Sequence, residues 1–167
     1  MKIPVFVSCP TSLNKIQEES LKIVLTELNK LSLERRQLGK SDYPTEAPLK
    51  EVVSIMKHCA GGIILGFEQI RINSAIKKPG TSKEKEIVNS FPAPTEWNNL
   101  EAGIMFTLDL PVLVFKETGI EGGIFDHGVT DVFIHDMPTK GLSRIERKAL
   151  SSIFLKWQGL VRNKYYS

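Results

Sequence analysis

The chain has 167 residues, 41% of them hydrophobic and 25% charged, which places it among ordinary globular domains and excludes disordered and fibrous classes. Lys and Arg total 22 against 19 Asp and Glu, a net charge of +3; this is too mild for a surface-wide nucleic-acid footprint, so nucleic acid is not expected as a partner. Cys9 and Cys59 lack metal-ligand spacing, the histidines His58, His127 and His135 are scattered, and no apolar run approaches the ~20 residues of a membrane span.

A single domain over residues 1–167, in a reducing, cytoplasmic setting and with no membrane partner, is therefore expected. From the N-terminus, residues 3–8 are an apolar, β-branched run stopped by Pro10, the pattern of a buried strand. A helix follows over 14–33, with Leu21, Val24, Leu25, Leu28 and Leu31 on one stripe and Asn14 or Ser12 as its cap. Residues 35–38 give a short second strand and 39–47 a polar loop. A second helix over 48–59 places Pro48 in its first turn and Leu49, Val52, Val53 and Met56 on its stripe.

The run AGGIILG at 60–66 is the next buried strand. Residues 67–94 form a long insert with Lys77, Lys78, Lys83 and Lys85, read as a solvated face; its length marks it as functional or mobile. Thr95 caps a third helix reaching about residue 109, and PVLVF (111–115) and DVFIH (131–135) read as strands. Between these strands, Gly119, Gly122, Gly123 and Gly128 mark a candidate lid that also carries Asp126 and His127. The last helix covers 143–161, with Leu150, Ile153, Phe154, Trp157 and Val161 facing inward. Apolar strands alternating with helices predict a flavodoxin-like (Rossmann-like) α/β fold, a parallel sheet of about five strands covered on both faces. Ligands in such sheets bind beyond the strand C-termini, where the strand order switches.

The third helix carries the main chemical signal. Trp97, Leu100, Ile104, Met105 and Leu108 are expected to form its apolar face, and Glu101 falls on that face. A carboxylate there costs several kcal/mol unless it is paired or functional. Burial would raise its pKa and suit it to acid–base or cation-stabilising work; the periodicity equally allows a structural glutamate bonded to a neighbour. Around it, Ser8 and Cys9 follow the first strand, Asp42 and Tyr43 the second, and Phe67 the third, while Trp97 and Asn98 precede Glu101 on its own helix. These seven are the candidate substrate-binding residues, with Glu101 the catalytic candidate. No metal or resident cofactor is expected.

The stretch Pro94-Thr95-Glu96-Trp97-Asn98-Asn99-Leu100-Glu101-Ala102-Gly103-Ile104, followed by Leu110-Pro111 and the Val-Leu-Val-Phe run, resembles the signature of two related groups. One is the nucleoside 2-deoxyribosyltransferase-like proteins; the other is the bacterial TIR-like proteins, whose W-x-x-x-E-x-G helix is matched by Trp97, Glu101 and Gly103. The resemblance implies an enzyme that cleaves or transfers at an N-ribosidic bond, an NAD-type glycohydrolase or cyclase among the options. NAD, a nucleoside or a nucleotide would be its substrate, and Glu101 would attack or stabilise the anomeric carbon. It also implies a role in bacterial anti-phage defence and a homo-oligomer or a partner effector protein. Thr95, Glu96 and Asn98 stand where a deoxyribosyltransferase carries an Asp and a Gly-Thr run, which favours the TIR-like side. The alternatives are a binding module that senses a nucleotide signal without chemistry, and a TIR-type interaction domain.

Overall fold

The computed structural model describes residues 2–39 and 47–167. Five strands, β1 (Ile3–Ser8), β2 (Leu33–Arg36), β3 (Gly62–Gly66), β8 (Val112–Lys116) and β9 (Ile134–Asp136), form one parallel sheet in the order β2-β1-β3-β8-β9. This is the order of flavodoxin-like sheets, in which the winding reverses between the first strand and its next central neighbour. Helices α1 (Lys15–Lys30) and α4 (Arg144–Tyr166) cover one face, and α2 (Pro48–Lys57) and α3 (Glu96–Thr107) the other. The expected α/β architecture is thus present, with β2 beginning two residues earlier than its sequence pattern suggests and β9 reduced to three residues.

Side-chain parity in the strands divides the core in two. Val5, Val7, Ile63, Leu65 and Phe115 pack against Val24 and Leu28 of α1 and Phe154, Trp157 and Val161 of α4. Phe6, Ile64 and Val114 pack against Val52 and Met56 of α2 and Met105 of α3. Local signals start the helices as the sequence suggests. Asn14 accepts from Gln17 N at 2.9 Å while the Gln17 side chain accepts from Asn14 N, and Ser143 and Glu146 form the same reciprocal cap on α4.

Gly62, the first residue of β3, and Gly61 just before it let the helices sit close. A side chain at Gly62 would meet Met105 Sδ at 2.3 Å, and one at Gly61, which points to the opposite face, would meet Val161 at 2.6 Å. The seating of Met105 in the hollow over Gly62 fixes the rotation of α3, whose buried face is Asn98, Glu101, Ala102 and Met105. This corrects the expected stripe. Trp97 and Leu100 are exposed, because apolar residues lie on nearly all sides of α3 and their spacing alone could not set its phase. In α2 the inward residues are likewise Val52, Ile55 and Met56, with Leu49 exposed.

The insert is more ordered than a loop. Its strands β4 (Ile70–Ile72), β5 (Ala75–Lys77), β6 (Lys85–Ile87) and β7 (Phe91–Ala93) pair antiparallel as β4·β7 and β5·β6. The glycine-rich segment after β8 is anchored rather than poised as a lid. Ile120, Ile124 and Phe125 are buried in it, and Lys116 Nζ donates to the carbonyls of Ile120 (2.8 Å) and Phe125 (3.0 Å). Among the described residues, no helix is long and apolar enough to cross a membrane.

The two strand glycines beside rigid and flexible neighbours give a test of this packing. A Cβ at Gly66 would meet the Phe125 ring at 2.5 Å, whereas one at Gly62 meets a thioether that can swing aside. Gly66→Ala is expected to destabilise by about 1–3 kcal/mol, and Gly62→Ala by less, measured as the difference in urea midpoint between the two variants and the parent.

Candidate active site

The functional candidates converge where β1 ends and α3 begins. Ser8 is the last residue of β1, and Thr95 caps α3, accepting a hydrogen bond from Trp97 N. This geometry aims the second turn of α3 at the C-terminal end of β1, the switch point of the sheet. Glu101 lies there with 9% of its surface exposed. It forms part of the wall of a cleft of about 250 Å³ whose other lining includes Cys9, Pro10, Thr11, Gln37, Gln69, Thr95 and Trp97.

Among the described residues, the carboxylate has a single close polar support. The Ser8 hydroxyl donates to it, while Ser8 Oγ accepts from Asn98 Nδ2 at 2.8 Å. Asn98 is fully buried, and its Oδ1 has no hydrogen-bond partner among the described residues. No Lys, Arg or His among the described residues pairs with Glu101. Removal from water therefore dominates and pushes its pKa up to about 7, against the smaller downward pull of the Ser8 hydrogen bond.

A second buried glutamate shows the contrast. Glu27, on α1, is buried to a similar degree but pairs with Lys30 at 2.6 Å and accepts from Ser151 at 3.0 Å. It lies in a groove of about 480 Å³ between α1 and α4. A wider groove of about 790 Å³ beside β9 is lined mainly by apolar side chains with Asp109, Asp131, His135 and Lys156 at its rim. Among the described residues, only the cleft at the switch point combines a concave wall with a buried carboxylate that lacks a cation.

The candidates named from sequence separate as follows. Glu101, Ser8 and Asn98 form one hydrogen-bonded unit, with Cys9 and Trp97 on the cleft wall. Trp97 is 41% exposed, so its ring stands at the cleft mouth. Phe67 does not reach the cleft: it is wholly buried in the core on the α1 and α4 face, because it continues the parity of Ile63 and Leu65. Asp42 and Tyr43 lie outside the described residues. Asp126 and His127 are exposed on the anchored segment and are not part of the cleft wall.

Of the two carboxamides of the cleft, sequence reasoning missed Gln37, whereas Gln69, with Phe67 and Glu68, stands where the site rim is expected after the third strand. Gln37 directly follows β2 and is buried; its Nε2 donates to Cys9 O at 2.6 Å, and Arg35 donates to its Oε1. Gln69 opens the insert and is held by hydrogen bonds from Nε2 to Ser12 O and Glu68 O. The available signal was positional, since each lies just past the C-terminal end of a parallel strand. Among the described residues, no group of three or more His, Cys, Asp or Glu is placed to hold a metal ion.

The raised pKa carries a stability consequence. The folded state favours the protonated acid, so its contribution is fully present below the unfolded value near 4.5 and is lost as pH rises through about 7. Glu101→Gln is expected to abolish this dependence. Above pH 7 the variant should be the more stable protein, by on the order of 3 kcal/mol, and the difference should shrink toward pH 4.5, as read from denaturant titrations across that window.

Comparison with known proteins finds no family model and no curated protein that matches the chain, so its functional reading rests on the cleft and the side chains that line it.

Proposed function

We propose that the chain cleaves or transfers across an N-ribosidic bond of a nucleoside or nucleotide, NAD-type dinucleotides included, with Glu101 as the catalytic carboxylate. The observation that carries this reading is a buried carboxylate that has no cationic partner among the described residues, placed in a cleft at the switch point of a parallel sheet. Structural glutamates at such depth are paired, as Glu27 is. An unpaired one is retained at a cost, which active sites accept when the group serves a charge that develops only during reaction.

N-ribosidic cleavage supplies such a charge. The bond from C1′ to the base nitrogen breaks with its electron pair leaving on the base, and C1′ becomes oxocarbenium-like. An anionic Glu101 facing C1′ stabilises that cation or bonds to it, after which water or an acceptor hydroxyl adds at C1′ and releases a proton. Ser8 keeps one carboxylate oxygen oriented through its hydroxyl, and Asn98 fixes Ser8. Gln37, Gln69, Thr11 and Thr95 offer the cleft amide and hydroxyl groups suited to sugar hydroxyls and base edges, and the Trp97 ring offers a surface for stacking.

Because the working form is the anion, activity should climb with pH through about 7 and level off above it. The purified chain, incubated with NAD, NADP and a panel of nucleosides and nucleotides, should release free base or a cyclic product detectable by mass spectrometry. Glu101→Gln should lower that rate by about 10³-fold or more and Ser8→Ala by a smaller factor. Turnover that survives Glu101→Gln would remove the carboxylate from the mechanism.

A further inference from the structure

The insert that leaves the cleft is one antiparallel ribbon in two segments. Ile72 pairs with Phe91 and Ala75 with Ile87, so two residues on one side (73 and 74) face three on the other (88–90). The ladder is interrupted there, and the two pairs form separate two-stranded sheets. From residue 69 to residue 97 no side chain is buried, and Ile70, Ile76 and Val88 are exposed along the shaft. A two-stranded ribbon with no core of its own is marginal in water. Its root, by contrast, is firmly tied. Glu117 accepts from Glu68 N at 2.6 Å and from Gln17 Nε2 at 3.1 Å, Gln69 N donates to Ala93 O at 2.9 Å, and Arg71 makes two hydrogen bonds to the Glu68 carboxylate.

A basic cluster stands at the far end of this ribbon. Residues 77–85 contain Lys77, Lys78, Lys83 and Lys85 and a single acid, Glu84, a net +3 that equals the net charge of the whole chain. The remainder of the protein is therefore neutral overall. All four lysines are exposed, and among the described residues no acid pairs with any of them. Glu84 is engaged within the tip itself, accepting from Gly80 N. Lys77 lies directly across the ladder from Lys85, a like-charge cross-strand pair that opposes ribbon formation. A solubilising role would be served by lysines spread along both strands, whereas these gather at one end.

Distance decides what such a tip can serve. From Gln69 at the cleft rim to Lys77 is eight residues, roughly 26 Å of extended strand at ~3.3 Å each. No small molecule held at Glu101 spans that length, whereas an extended polyanion does. We infer that the ribbon is a nucleic-acid-binding arm that enters the major groove of a duplex, which admits a two-stranded β-ribbon. The tip lysines contact backbone phosphates, and the exposed Ile76 and Val88 side chains lie against base edges and thymine methyl groups. Binding of this kind is dominated by counterion release and carries little sequence preference. The mild charge of the whole chain points away from nucleic acid only when its distribution is ignored. This inference does not depend on the glycosidic reading, since binding requires no turnover at Glu101.

Fluorescence anisotropy of the full chain with a labelled DNA duplex of about two helical turns tests it. Binding is expected at low salt, with log affinity falling linearly against log salt at a slope of about −3 to −4 for up to four phosphates. Replacing Lys77, Lys78, Lys83 and Lys85 together with Glu should weaken binding by on the order of 100-fold or more. Replacing the same four with Arg should preserve it. The thermal melts of both variants should match that of the parent, because none of the four side chains is buried. Absence of binding at low salt, unchanged affinity in the Glu variant, or equal affinity for polyglutamate or anionic vesicles would each overturn the assignment.

Discussion

The structure turns on burying one carboxylate to which none of the described residues gives a counter-charge. Glu101 is taken out of water by the same packing that holds the sheet and α3 together, and among the described residues only the Ser8 hydroxyl answers its charge. A lone neutral donor offsets part of the desolvation cost and no more, so the proton affinity of the acid rises until both of its forms are populated near neutrality. The arrangement originates one layer deeper. Gly62 leaves a hollow on β3, Met105 fills it, and that contact sets the rotation of α3 which turns residues 98 and 101 inward.

The same end of the sheet organises everything near the cleft. Asn98 reaches across to the end of β1, and its neighbour Asn99 turns the other way, accepting from Ile124 N at 2.9 Å to hold the segment after β8. Gly123, next to that contact, has φ of 58° and a space that a side chain could not share with Asn99. Glu117 at the end of β8 ties α1 to the first residues of the ribbon through Gln17 and Glu68. The cleft thus sits on rigid strand ends and a capped helix, the placement that holds reacting groups to fine tolerances, while the ribbon extends away from it.

Much of the fold was legible in the residues. Continuous apolar strands, the alternation with amphipathic helices, and the Asn14 and Thr95 caps are local signals, and the structure carries them. The inward position of Glu101 was also legible, although for a partly mistaken reason. Trp97 and Leu100 were expected beside it on the buried face, yet burial follows Asn98, Ala102 and Met105. Helix phase depends on a glycine forty-three residues away in sequence, and no local pattern records that. Phe67 was assigned to the rim because it follows β3, but strand parity continued one step past the ladder and carried it into the core. Gln69, on the same expected rim, does line the cleft, whereas Gln37 was passed over because a carboxamide announces no chemistry by type. The ribbon was read as loop because its strands are three residues long and its ladder is interrupted, too short for period-two alternation to register.

The central claim is that Glu101 is a buried carboxyl, without a cation among the described residues, poised between its two protonation states. A carbon-13 NMR titration of side-chain-labelled glutamates in the parent and in Glu101→Gln tests it most directly. The account predicts one glutamate resonance that titrates near pH 7, is absent from the variant, and shifts when a nucleoside or NAD occupies the cleft. A spectrum in which every glutamate titrates in the ordinary range near 4.5, with parent and variant differing only by the loss of one such resonance, would contradict it.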